Sequence, residues 1–208
     1  MFRRVLFRSP SLYPVNILIG FPRPIQAGRI LKDLTSLGLR RIWFTLSELG
    51  EKSYAESSFF RTRDFESHLI EGAMQSGNPR LPQVECFWSL PRACDALDAA
   101  QRVAASLDSD AATGARTTPR DFVSEVPAEE PDRLVFHPGE KLPKLADFPR
   151  LRTPLWLAVG SERGWTEAEL ELLRSRGFLV CSLGRRILKT ETAALAAASI
   201  VLSRIGLL

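Results

Sequence analysis

The sequence predicts an α/β domain built on a mostly parallel sheet. Three observations carry that expectation. Short apolar runs that end at glycine, proline or a polar turn alternate with stretches of helical period. The first three elements, residues 15–20, 25–37 and 41–46, form a strand–helix–strand succession with short connections, which makes the two strands parallel. Two further strand-to-helix passages near the C-terminus, beginning at Leu155 and at Phe178, each turn at glycine.

Residues 15–20 are an apolar run ending at Gly20, as a buried strand should. Pro24 opens a helix over 25–37, with Ile30, Leu31, Leu34 and Leu37 on one face and Gly38 as its stop. Residues 41–46 are the next strand, and 47–58 read as a polar loop. A helix is predicted over 59–75, ended by Ser76, Gly77, Asn78 and Pro79, then a strand over 83–88. A helix over 91–107 places Ala93, Leu97, Ala100 and Ala104 on one side. From Asp108 to Asp132 the chain turns polar and reads as a surface excursion, with a short strand at Phe122 and Val123. Strands at 133–138 and 155–159, with a loop over 139–154 between them, resume the sheet. A helix over 166–176, a strand over 178–183 and a last helix from Thr190 complete the domain. No internal repeat is present.

The chain of 208 residues accommodates one such domain, and its 45% hydrophobic and 25% charged residues are those of a soluble globular protein. The longest apolar run, 193–202, is shorter than the roughly 20 residues of a membrane helix. No secretory leader is legible, so a cytoplasmic protein without membrane contact is expected. Cys86, Cys94 and Cys181 are odd in number and widely spaced, and with His68 and His137 they make no zinc pattern. Reduced cysteines and no metal are expected. The net charge is +4, and arginine outnumbers lysine 23 to 5. Arginine pairs with phosphate in bidentate fashion and stacks on bases, so this composition permits an RNA partner; a base-composition bias in the gene explains it equally well.

The glycine turns carry the chemistry. Gly160 and Gly164 bracket Ser161, Glu162 and Arg163, and Thr166 with Glu169 spells a capping box for the helix that follows. Gly184 turns the chain after the last strand, and Thr190 or Thr192 is placed to cap the final helix. Two such turns at neighbouring strand ends are how an open α/β sheet builds a small-molecule cleft. Neither is GxGxxG or GxxxxGK[ST], so the dinucleotide and P-loop readings lose their main support.

Gly160-Ser-Glu-Arg-Gly-Trp-Thr-Glu-Ala-Glu169 resembles the GPEGG(F/W)-x-x-x-E loop of the ribosomal small-subunit RNA uridine-N3 methyltransferases (RsmE type). Leu183-Gly-Arg-Arg-Ile-Leu-Lys-Thr-Glu-Thr-Ala193 resembles that family's LGxRILRTETA segment. Glu71-Gly-Ala-Met-Gln-Ser-Gly77, with Pro82, is similar to its EAxxQSGRxxxP helix end, and Glu51-Lys-Ser53 resembles its ERS motif. The four lie in the family's order. The resemblance implies a SPOUT-type α/β sandwich with a C-terminal trefoil knot, a homodimer, S-adenosyl-L-methionine as cofactor and ribosomal RNA as substrate.

On that resemblance Phe136, His137, Pro138, Gly160, Glu162, Gly164, Leu183, Gly184, Ile187, Leu188, Thr190 and Ala193 would border the cofactor. The reaction would be in-line attack of a deprotonated uracil N3 on the activated methyl, with catalysis chiefly by positioning. Gln75, Ser76, Arg186 and Glu191 are the catalytic candidates, and Lys52 and Arg80 the candidates for RNA contact. Glu191 has a competing role as an acidic charge in the first turn of a helix. Three departures from the pattern stand out. The family's N-terminal RNA-binding barrel of PUA type is not legible, so the methyltransferase unit is expected over 11–208 with residues 1–10 unplaced. Ser161 and Arg163 stand for proline and glycine in the pocket loop, and Asn78 for arginine after the QSG element. They leave a second reading open, a SPOUT-fold RNA-binding or dimerisation module without catalysis.

Overall fold

In the computed structural model, which describes residues 10–111, 132–148 and 150–208, the apolar runs pair into a six-stranded sheet. Its strands are β1 (Tyr13–Gly20), β2 (Leu39–Thr45), β3 (Gln83–Phe87), β4 (Arg133–Phe136), β5 (Leu155–Val159) and β6 (Leu179–Cys181), in the order β3-β2-β1-β5-β4-β6. Every neighbouring pair is parallel, so the loops that follow the six strands all open at one edge of the sheet. The helices are α1 (Pro24–Ser36), α2 (Lys52–Ala55), α3 (Ser58–Arg61), α4 (Glu66–Ser76), α5 (Leu90–Ala111), α6 (Glu167–Ser175) and α7 (Thr190–Arg204).

Alternation along the strands makes two cores. Ile17 and Ile19 of β1 face Leu31 of α1, Leu69 of α4 and Val201 of α7, whereas Leu18 faces away, toward Trp43, Trp156, Leu97 of α5 and Leu173 of α6. The sheet thus lies between two helical layers. Small residues set the spacing. A side chain at Gly72 would come within 2.3 Å of the Lys32 carbonyl, so α4 rests directly on the backbone of α1. Ala194, Ala197 and Ala198 are fully buried and bring α7 onto the sheet.

Two expectations need correction. The helix foreseen over 59–75 is broken: α3 ends at Arg61, Arg63 takes a positive φ of 62°, and α4 starts at Glu66. A straight helix would point Phe60 and Phe65 about 140° apart. The break lets both enter one cluster, with Phe60 packed on Phe21 at 4.8 Å and Phe65 buried beside it. The loop foreseen over 47–58 contains α2, a single turn. The strand expected at 122–123, most of the polar excursion and residues 1–9 lie outside the described residues.

Cys94 and Cys181 are buried and Cys86 is half-buried, all as free thiols. Burial pushes their pKa up, to about 12 for Cys86 and Cys181 and about 11 for Cys94, so they stay protonated at neutral pH. No helix among the described residues is long and apolar enough to cross a membrane.

Candidate functional site

β5, β4 and β6 are consecutive in the sheet, and the loops leaving their C-terminal ends wall a cavity of about 260 Å³. Phe136, His137 and Pro138 come from the end of β4, and Gly160, Ser161, Glu162, Arg163 and Gly164 from the turn after β5. Leu183, Gly184, Arg186, Ile187 and Leu188 follow β6, and Thr190 and Ala193 belong to the first turns of α7. The structure therefore gathers in one cavity all twelve residues that the resemblance assigns to the cofactor, together with Arg186.

The turn after β5 is built from backbone. The Gly164 N–H donates to the Ser161 carbonyl at 2.9 Å, and Gly164 takes a φ of 75°. A Cβ on Gly160 would lie 2.7 Å from the Cα and carbonyl carbon of Gly164, so the turn closes only around glycine. Gly20 backs the same turn, since its Cβ would lie 2.5 Å from the Ser161 nitrogen. Side chains then fix the turn to its neighbours. Glu162 accepts the Arg23 N–H at 3.0 Å, and the buried Ser47 and Ser161 hydroxyls meet at 3.3 Å. Together these contacts tie the loops after β1 and β5 to each other at the point where the strand order reverses, where an open parallel sheet usually takes its ligand. The cavity lies one step further along the edge.

Glu169 completes the scaffold. The capping box read from the sequence is present, with Thr166 N–H donating to Glu169 Oε2 at 2.9 Å and Glu169 N–H to Thr166 Oγ1 at 3.2 Å. The other oxygen of the buried Glu169 carboxylate accepts the Glu48 N–H at 2.8 Å, and Thr166 Oγ1 donates to Glu48 at 2.9 Å. One buried carboxylate thus joins the loop after β2 to the start of α6. Local spacing identifies the cap, but no sequence signal reaches across the more than one hundred residues to Glu48.

The turn after β6 is held from below. Ser182 N–H donates to the Pro143 carbonyl and Leu145 N–H to the Ser182 carbonyl, both at 2.9 Å, and His137 N–H donates to the Cys181 carbonyl at 3.0 Å. Beyond that point the chain is exposed. Gly184 has a φ of 134°, a conformation that L side chains rarely adopt, and Ile187 leaves 83% of its surface open. Thr190 is the first residue of α7 rather than its cap; Lys189 holds the cap position and offers no side-chain bond. The amide groups of that helix start are consequently uncapped by any side chain.

A polar ligand suits this cavity. His137 Nδ1 is buried at its wall with no hydrogen-bond partner among the described residues, a position that favours a ligand polar group. The two glycine turns bring backbone close to the cavity. Arg163 does not obstruct it. Its φ is not positive, its side chain is 68% exposed, and its guanidinium lies 4.0 Å from Glu51.

The remaining candidates lie elsewhere. Glu191 sits in the first turn of α7 but does not line the cavity. Lys52 borders a separate groove beside Trp88. Gln75 and Ser76 end α4, and the Ser76 hydroxyl donates back to the Ala73 carbonyl at 3.2 Å. α4 feeds the start of β3, and Asn78 Nδ2 donates to the Pro10 carbonyl at 3.2 Å, ahead of β1. Gln75, Ser76 and Arg80 therefore lie at the edge of the sheet opposite the cavity.

A parallel sandwich with a glycine-walled cavity beyond adjacent strand ends is a ligand-binding α/β domain. Residues 9–202 match the family described as RNA methyltransferase domain. The chain is 34% identical over 203 residues to ribosomal RNA small subunit methyltransferase E of Treponema pallidum (strain Nichols), covering 98% of this chain and 67% of that protein. It is 30% identical over 197 residues to ribosomal RNA small subunit methyltransferase E 1 of Borreliella burgdorferi, covering 95% and 70%. The crystal structure of the Neisseria gonorrhoeae methyltransferase E bound to S-adenosyl methionine shares the fold, with a TM-score of 0.67 over 97% of this chain and 69% of that one at 23% identity. The chain belongs to the RNA methyltransferase domain family, within its small-subunit methyltransferase E type.

Proposed function

We propose that this domain is an S-adenosylmethionine-dependent RNA methyltransferase that modifies N3 of a uridine in small-subunit ribosomal RNA. The observation that carries the reading is the convergence of the three loops after β4, β5 and β6 on one cavity, in a chain of this family. The cofactor supplies a methyl group carried on a sulfonium. The turn at 160–164 and the turn at 183–188 offer it backbone groups, His137 Nδ1 offers a polar contact, and Phe136, Leu183 and Leu188 offer apolar ones. Arg186 is the one catalytic candidate lining the cavity, and its charge favours the uridine anion as N3 loses its proton. Glu191 is assigned to the helix start, where its negative charge meets the positive end of the dipole.

Gln75 and Ser76 lie at the far edge of the same subunit, so a role for them on the substrate side requires a second subunit. The homodimer and that role are one proposal, and a C-terminal trefoil knot that includes the turn from Leu183 to Ala193 and the domain start near residue 11 belong with it. A cytoplasmic location goes with the proposed action on ribosomal RNA.

Calorimetry with S-adenosylmethionine, followed by nucleoside mass spectrometry of small-subunit RNA after incubation, tests the reading. Binding together with 3-methyluridine is expected. No heat at millimolar cofactor overturns it, and methylation elsewhere overturns the uridine-N3 assignment alone. Light scattering of the free protein tests the dimer.

A further inference from the structure

We infer that the substrate RNA lays its backbone along the β4–β6 side of the cavity mouth, where Arg185 and Lys189 take phosphates flanking the reacting nucleotide. The inference rests on the methyltransferase reading and deepens it, because it says on which side of the cavity the RNA runs.

Charge divides the mouth in two. On the β1–β5 side lies a cleft lined by Arg23, Glu51, Glu162 and Arg163, two cations against two carboxylates. These groups also engage one another: Arg163 lies 4.0 Å from Glu51, and Glu162 accepts the Arg23 N–H. The other side is unbalanced. Residues 182–190 include Arg185, Arg186 and Lys189 and no acidic residue. The loop after β4 adds the exposed Lys141 and Lys144, and the backbone bonds of Ser182 to Pro143 and Leu145 set that loop beside the turn. Glu140, Asp147 and Glu191 are the carboxylates of these two segments, so five cations face three acids. Of those acids, Asp147 accepts the Lys144 N–H at 3.2 Å, and Glu191 sits in the first turn of α7.

The cations of the turn are free to meet a ligand. Arg185, Arg186 and Lys189 are exposed and make no ion pair or side-chain hydrogen bond among the described residues. Arg186 lines the cavity, whereas Arg185 and Lys189, on either side of it in the turn, do not. Their charge therefore stands beside the cavity without occupying the space of the cofactor. An RNA that delivers one nucleotide to the cavity must carry the neighbouring phosphates past its mouth. Only the β4–β6 side offers them a net positive surface, and a guanidinium pairs with phosphate through two parallel hydrogen bonds. Phosphate contacts do not read sequence, so this track supplies affinity and register rather than choice of base.

The test uses the full chain, an Arg185→Gln/Lys189→Gln double variant, and Arg40→Gln, which removes an exposed cation near the start of β2, at the sheet edge away from the cavity. Affinity for a single-stranded fragment of small-subunit RNA is measured across a salt series, together with cofactor affinity, oligomeric state and methyl transfer. Loss of two phosphate contacts should lower the slope of log K against log salt by about 1.4 and weaken RNA binding about 10- to 20-fold at about 0.15 M salt. The deficit should shrink as salt rises, KM for RNA should rise more than kcat falls, and cofactor affinity should hold. Arg40→Gln should leave the slope unchanged. An unchanged slope in the double variant, while the parent chain methylates RNA, overturns the track and leaves the methyltransferase reading standing. A drop in Arg40→Gln equal to that per charge in the double variant makes the effect one of net charge, and overturns it too. So does a double variant whose RNA affinity falls only with a change of oligomeric state, which makes the turn a subunit contact. A parent chain that binds RNA with the expected salt slope but binds no cofactor removes the methyltransferase reading alone.

Discussion

The turns after β5 and after β6 face each other across one cavity and are held by opposite means. The first is bonded within itself between Ser161 and Gly164, joined to Arg23 through Glu162, and packed against Ser47 and the backbone of Gly20. The second is tied only at its base by Ser182, and Arg185, Arg186 and Lys189 make no ion pair or side-chain hydrogen bond among the described residues. The anchored turn is also the one that departs from the family pattern, at Ser161 and Arg163, whereas the loosely held turn matches its motif closely. The difference separates two reasons for a residue to be where it is. In the first turn the neighbours account for nearly every side chain. In the second, Leu183 packs against the core, whereas Arg185, Arg186, Ile187 and Lys189 are exposed.

The sharpest way to break this contrast is Gly160→Val. The new Cβ would meet the Gly164 backbone at 2.7 Å, which no side-chain movement relieves. Cofactor affinity should fall more than 100-fold in calorimetry, with about 2–3 kcal/mol of stability lost in denaturant unfolding. Gly184→Ala is the matched change in the other turn. Its Cβ has open space, so only the φ of 134° resists it, at a cost of about 1–3 kcal/mol. A smaller loss of folding stability in Gly160→Val than in Gly184→Ala would dissolve the distinction.

Glu169→Gln asks how much of the anchoring comes from the buried carboxylate. The amide keeps one acceptor but puts donors where the Glu48 or Thr166 N–H must be met. About 1.5–3 kcal/mol of stability should be lost, and cofactor affinity should weaken about three- to tenfold as the turn loosens. Wild-type stability in this variant would mean that water replaces the clamp at no cost.

What was legible in the sequence follows the same division. Parallel strands, the Thr166–Glu169 cap and the cavity residues were readable because each depends on local period, local spacing or a linear motif. The break at Arg63 was not, because it serves the packing of Phe60 on Phe21, 39 residues away in the chain, with Phe65 beside Phe60. The local spacing of Glu169 predicts a cap and not its bridge to Glu48, for the same reason. Linear motifs also fail to place themselves in space: Gln75 and Ser76 belong to a motif yet sit across the sheet from the cavity.

The mildest test bears on the departure that weighs most against activity. An arginine at 163 in place of glycine would cripple the cavity if its backbone were strained or its side chain pointed inward. Neither holds: its φ is not positive, and its side chain reaches outward to within 4.0 Å of Glu51. That contact is an exposed ion pair at the outer limit of pairing distance, worth about 0–1 kcal/mol at most. Arg163→Gly should therefore leave stability within about 0.5 kcal/mol. Cofactor affinity should change less than about threefold, since the turn is set by Gly160, Gly164 and their partners rather than by this side chain. A tenfold gain in affinity on substitution would show Arg163 turning into the cavity in solution. A tenfold loss would make it a ligand contact, and would transfer part of the binding role from the free turn to the anchored one.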